Sequence, residues 1–321
     1  MADLLVKTVA CLALCAAGFA VQAEEQPIIL DTASGQIAGT LALPSGGGKP
    51  RVALIVAGSG PTDRDGNTVG LPGRNDSLKL LAAALADAGI ATVRYDKRGI
   101  GASRSAGFDE SAMRFEHYVD DAGAWITKLK ADPRFASTAV IGHSEGSLIG
   151  MLAAQQAGAA AFVSIAGLAD GAASVMRKQI DGKLPPDLAK ESDRILSALE
   201  SGKTVDAVSP SLNILYRPSI QPYLISWFKY EPAKQIAALH MPVLVVHGNT
   251  DIQIKVGQAN ALHAAASNAT LAIIPGMNHV LKHVRAIDSQ QQASYLDPSL
   301  PIDPLLVKAV ADFLNKGAAA E

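Results

Sequence analysis

Three residues that could act together on an acyl group lie far apart in this chain, each just beyond an apolar run. Ser144 is the centre of Gly142-His143-Ser144-Glu145-Gly146, a G-x-S-x-G pentapeptide. Residues 138–141 before it read as a short buried strand and 147–154 after it as an apolar helix, so the serine would sit on a sharp strand-to-helix turn. Such a turn strains the serine backbone, and Gly142 and Gly146 leave the room it needs. A serine hydroxyl is a poor nucleophile at neutral pH. It needs a base, and the base needs a carboxylate to hold its tautomer. Asp251 stands just after the apolar run 243–247, and His279 just after 270–274. The order serine, acid, histidine is then the one expected where chemistry gathers at the carboxyl ends of parallel strands.

Rivals for these roles exist. His283 comes one helical turn after His279, while Asp288 and Asp297 follow the histidine and so break the order. Asp251 could also cap the helix expected from near Ile254, a role compatible with holding a base. An oxyanion formed at Ser144 would need two N–H donors. The elbow supplies that of Glu145, and Gly58-Ser59-Gly60 should supply the other, from Ser59 or its neighbour Gly60. This loop is not a phosphate-binding fingerprint, because the third glycine of G-x-G-x-x-G falls at Asp63.

The elements that must position these groups alternate. Two short strands are expected over 28–30 and 37–43, then a buried strand over 51–57 and a helix capped by Asn75 or Asp76 and stopped by Gly89. Residues 90–95 read as a strand, 111–131 as a helix, and 161–166 as another buried strand. A strand over 242–247, a helix including 260–266, a strand over 270–274 and a terminal helix over 304–316 complete the pattern. This is an α/β chain with a mostly parallel sheet covered by helices on both faces. Residues 168–236 interrupt it with a charged, helical, proline-broken stretch, read as a helical cap inserted between two parts of the core, 24–167 and 237–321. Trp227, Phe228 and Tyr230 could cover an acyl site from there or simply pack, and His143 could line the pocket or do nothing chemical. Asp63, Arg64 and Asp65 could bind a polar substrate group, but the favoured reading is that they pin their long loop by mutual salt bridges.

The chain has 321 residues, 49% of them hydrophobic, with a formal net charge of −2, enough for one large domain with an insertion. No basic block favours nucleic acid, and the histidines lack metal-binding spacing, so no cofactor or metal is expected. Residues 1–23 read as a cleavable export signal, with Lys7, an apolar run over 8–20 and a small-x-small site at Val21-Gln22-Ala23. Both cysteines, Cys11 and Cys15, lie inside it, so the expected mature chain carries no thiol and resides in the periplasm, with no stable membrane insertion. No feature specifies an oligomeric state.

The set GSGPTDRDG (58–66), RYDKRGIGAS (94–103), GHSEGS (142–147), VLVVHGNTD (243–251) and PGMNH (275–279) resembles the α/β-hydrolase superfamily, and within it bacterial serine carboxylesterases. The resemblance implies Ser144 as nucleophile, Asp251 as acid and His279 as base. It also implies that residues 95–98 form a structural turn. Glu145 departs from the Gln, Leu or Met common at its slot, and Ser147 from a common glycine, so the carboxylate must point away from the oxyanion or be paired. A small-molecule ester is the substrate this implies. A peptide, amide or thioester is the alternative and would call for a free carboxylate, for which Glu191, Asp193 and Glu200 are available. A binding protein with an inert triad is a third reading, from another class, and the intact Ser144, Asp251 and His279 argue against it.

Overall fold

The computed structural model describes residues 24–107, 109–285 and 289–316. The export signal read over 1–23 and the acidic rival Asp288 lie outside them. Eight strands form one sheet in the order β1-β2-β4-β3-β5-β6-β7-β8. They are β1 (Glu24–Thr32), β2 (Gly35–Leu43), β3 (Val52–Val56), β4 (Ala91–Tyr95), β5 (Thr138–His143), β6 (Ala161–Ile165), β7 (Val243–Gly248) and β8 (Ala269–Ile274). β1 and β2 form an antiparallel hairpin, β2 pairs antiparallel with β4, and every later pairing is parallel.

The parallel centre follows from composition. All residues of β3, β5, β6 and β7 are buried, as strands covered on both faces must be. Successive side chains point to opposite faces. Val52, Leu54 and Val56 therefore enter one apolar cluster, and Ala53, Ile55 and Ala57 the other. The first cluster is closed by α2 (Phe115–Lys130) and α3 (Glu145–Ala157), the second by α1 (Ser77–Asp87) and α11 (Pro304–Lys316). Each large aliphatic side chain so buried stabilises by roughly 1.5–3 kcal/mol, which makes this arrangement dominate local preferences.

Between β6 and β7 the chain runs through α4 (Ala172–Ile180), α5 (Pro186–Glu200), α6 (Asn213–Tyr216), α7 (Gln221–Trp227) and α8 (Pro232–Ala237). After β7 come α9 (Val256–Ala265), β8 and a short α10 (Ser289–Ser294) that the sequence did not announce.

Several boundaries differ from the sequence reading. Asp76 precedes α1 but does not cap it by its side chain. Its φ is 50° and its carboxylate is taken by Asn67 and Arg74, while the Ser77 N–H donates to Asn75 Oδ1 at 3.0 Å. The helix expected from Ser111 starts at Phe115 after a 3-10 turn, and α9 begins four residues ahead of Asn260.

Chain order reverses its direction across the sheet at β3, whose neighbours are β4 and β5. Such a switch point opens a crevice at the carboxyl ends of the strands. Val56, the last residue of β3, pairs with Gly142, so the loops leaving β3 and β5 begin side by side.

Candidate active site

Ser144 occupies that crevice between β5 and α3, with φ 56° and ψ −123°. A non-glycine residue held there is strained, and the surroundings must over-determine it. They do. A Cβ on Gly142 would overlap the Gly146 carbonyl, and one on Gly146 would overlap that of Val56, so both glycines are required by close backbone approach. Gly58 faces the serine less tightly: a Cβ on it would lie 3.2 Å from Ser144 Cβ. The Ser144 N–H donates to Ile165 O at 2.9 Å, tying the elbow to β6.

Asp251 and His279 meet across the ends of β7 and β8. His279 Nδ1 lies 2.7 Å from Asp251 Oδ2, and both residues are buried. A carboxylate only accepts, so Nδ1 carries the proton and the neutral ring leaves its lone pair on Nε2, the tautomer a base needs. The other oxygen, Asp251 Oδ1, accepts the N–H groups of Gln253 and Ile254 at 2.7 and 2.9 Å. The capping role and the orienting role therefore coexist. Burial would raise the Asp251 carboxyl, but its interaction with the His279 imidazole and these hydrogen bonds overcome it and hold the group below the usual range.

His143 is a brace for this histidine. Its Nε2–H donates to the His279 carbonyl at 2.9 Å, with ring centroids 4.9 Å apart. Burial, reinforced by the facing His279, pushes its pKa down to about 3, so it stays neutral and supplies shape rather than charge. His247 is likewise lowered by burial, its Nε2–H given to Ile254 O. The rivals fall elsewhere. His283 donates to Asp303 at 3.0 Å with a largely exposed side chain, and Asp297 accepts from Ser299.

The loop after β3 places Ser59 and Gly60 at the exposed rim and Gly58 beneath them. Its acidic and basic residues are pinned, though not by the mutual salt bridges the sequence suggested. Arg64 pairs with Asp96 at 2.7 Å, Asp65 with Arg94 at 2.9 Å, and Asp63 accepts the N–H groups of Asp65 and Asn67. These ion-pair partners of Arg64 and Asp65 come from the turn after β4 and from β4 itself, which local spacing does not disclose.

Glu145 points away from the crevice and is paired. Tyr223 donates to its Oε1 at 2.5 Å, and Lys97 Nζ stands 3.6 Å from Oε2. Sequence reasoning missed both partners. Lys97 lay in a motif read as a turn, and Tyr223 a few residues before the aromatic run that attracted notice. Ser147 donates to or accepts from Ser164 at 2.7 Å, which satisfies the hydroxyl standing where a glycine is common. Trp227 stacks on Phe115 at 6.0 Å with nearly parallel rings, Phe228 lies 6.4 Å from Trp227, and Tyr230 donates to Glu116. Trp227 and Tyr230 thus have packing partners on α2, and Phe228 packs on Trp227. Of the carboxylates on the inserted helices, Asp193 and Glu200 pair with Arg177, and Glu191 accepts from Ser209.

Residues 66–212 match the family model described as serine aminopeptidase, S33. The esterase EstD of Thermotoga maritima is 28% identical over 217 residues, which are 67% of this chain and 50% of EstD; the chain thus spans about half the length of that relative. Among solved structures, Est1E from Butyrivibrio proteoclasticus superposes with a TM-score of 0.61 at 18% identity, covering 91% of this chain and 99% of that one. A thermophilic esterase from Thermogutta terrifontis gives 0.55 at 16% identity, with 91% and 99% covered. Sheet order, strained elbow and these likenesses agree that the chain has the α/β-hydrolase fold.

Proposed function

We propose that the protein hydrolyses small carboxylic esters through an acyl-enzyme on Ser144. One observation carries the reading: a buried Asp251–His279 pair, with the imidazole in the basic tautomer, stands in the same crevice as a serine held at positive φ. In this mechanism His279 Nε2 takes the Ser144 proton as the hydroxyl attacks the ester carbonyl, then returns it to the leaving alcohol. Water, deprotonated by the same nitrogen, releases the acid. The N–H groups of Glu145 and Ser59 receive the oxyanion, with Gly60 the neighbouring candidate. The inserted helices between β6 and β7 bound the acyl side of the site. The likeness to EstD supports the ester class.

The family model's description favours a second reading, cleavage of an N-terminal peptide bond. It needs a carboxylate free to hold an ammonium, and Glu191, Asp193 and Glu200 are already engaged. Hydrolysis of p-nitrophenyl esters of graded chain length, run beside aminoacyl p-nitroanilides and thioesters, tests the two. Ester turnover that Ser144→Ala lowers by several orders of magnitude is expected; anilide turnover exceeding it, or undiminished turnover in the variant, overturns the reading. The leader over 1–23 supports export to the periplasm, checked by cell fractionation of the full chain: signal in the spheroplast fraction alone would refute it.

A further inference from the structure

We propose that Lys97 is a positioning residue that aligns both oxyanion donors, and this rests on the esterase reading above. Lys97 follows β4, and its side chain is 1% exposed. It lies over the Tyr118 ring, 5.1 Å from the centroid. Its ammonium donates to Gly58 O at 2.5 Å and faces Glu145 Oε2 at 3.6 Å. A trans peptide points its C=O and N–H in opposite directions, and no described peptide is cis. Holding the Gly58 carbonyl from behind therefore turns the Ser59 N–H of the same peptide plane outward, on the opposite side from Lys97. Gly58 itself abuts Ser144. The same ammonium reaches the side chain of Glu145, whose own N–H opens α3 and is the second donor.

Burying an ammonium and a carboxylate is expensive, and a well-packed apolar pair commonly serves stability as well or better. A fold needing only cohesion has no reason to set such a pair behind the catalytic turn. Burial lowers the Lys97 pKa and the Glu145 charge opposes that. Tyr223 completes the unit by donating to Glu145 Oε1, which links the inserted α7 to the elbow. Lys97 thus cross-links the β3 loop, the elbow and, through Glu145, the insertion.

The experiment compares wild type with Lys97→Met, Glu145→Gln and the double variant Lys97→Met/Glu145→Gln. The double variant removes both charges together and so protects the fold if the lone carboxylate unfolds the single one. Rates are expressed per active site titrated with a fluorophosphonate, so unfolded molecules do not count. Lys97→Met and the double variant are expected to lose about 10- to 100-fold in kcat with KM within about threefold, less than deleting a donor outright. Inhibition by a phenylboronate, whose tetrahedral anion occupies the oxyanion site, should weaken by the same factor. Glu145→Gln, which keeps the bond to Gly58, should lose less than either. A double variant with wild-type kcat and boronate affinity overturns the assignment, as does a loss in KM alone. A wild type that neither labels at Ser144 nor turns over esters refutes the esterase reading and this inference with it, an outcome distinct from the first.

Discussion

The carboxyl end of the central sheet and the helical insertion between β6 and β7 are held in different ways. At the sheet end the constraints overlap. Strands are buried throughout, backbone meets backbone at Gly142 and Gly146, and the polar groups Asp251, His279, His143 and Ser147 each have assigned partners. The insertion meets α2 through a seam of Tyr223, Trp227 and Tyr230 against Phe115, and turns the charged faces of α4 and α5 to water. Close packing transmits any misfit, whereas solvated pairs relax. The contrast teaches where change is tolerated: the candidate site sits on the over-determined end, and the solvated faces of the insertion can vary without disturbing it.

The sharpest test of that division is Asp251→Asn. An amide can accept the Gln253 and Ile254 N–H groups through its oxygen, so the loop keeps its turn. It then offers His279 a donor where a carboxylate stood, and the imidazole loses its tautomer. Ester kcat should fall about 10³- to 10⁴-fold with the melting temperature little changed. Retained activity would assign the acid elsewhere.

Glycine substitutions compare the two regions directly. A Cβ at Gly146 runs into the Val56 and Ala57 carbonyls, which belong to β3 and its exit and cannot retreat. Gly146→Ala should cost about 3 kcal/mol or more in a denaturant titration. Gly202, just after α5, has φ +76° but open space around it. Gly202→Ala should cost only the left-handed backbone penalty of about 1 kcal/mol. Equal losses at the two positions would erase the distinction.

The same contrast governs what could be read from sequence. The parallel sheet was legible because β3, β5, β6 and β7 are continuous apolar runs, and periodicity records burial. The placement of Ser144, Asp251 and His279 beyond strand ends was legible because those ends are marked by the glycines and polar residues that follow. The Lys97–Glu145–Tyr223 unit was not. Its members come from three elements distant in the chain, and nothing local distinguishes a buried lysine in Tyr95-Asp96-Lys97-Arg98 from a solvated one. The partners of Arg64 and Asp65 were missed for the same reason: charge spacing suggests neighbours, while folding chose β4. Asp76 misled because a residue type favoured at caps had its carboxylate already committed to Asn67.

Titration separates the regions more gently. His143, buried at the elbow, has its pKa depressed to about 3 from an ordinary 6.5. Between those values the unfolded chain binds a proton that the native chain refuses, so stability falls as pH is lowered through this window. His247 and Asp251, both lowered, push in the same direction. In His143→Gln, whose amide can still donate to the His279 carbonyl, proton uptake on unfolding between pH 4 and 6 should fall by about one, or about 1.4 kcal/mol per pH unit of slope. An unchanged slope would mean that His143 titrates normally.

The smallest effect belongs to the insertion's most connected surface charge. Arg177 on α4 pairs with Asp193 at 2.8 Å and Glu200 at 2.6 Å on α5, each partner substantially exposed. Exposed pairs gain little Coulomb energy in water and lose side-chain freedom, so each contributes no more than about 1 kcal/mol. The buried face below them, Ile195, Leu196 and Leu199, is untouched by the change and keeps α5 in place. Arg177→Ala should therefore lower stability by about 1 kcal/mol or less, by an amount that shrinks in high salt, with ester kcat and KM within about twofold of wild type. A larger, salt-insensitive loss would mean that the insertion depends on its charges as the sheet end depends on its packing, and the two regions would then follow one rule.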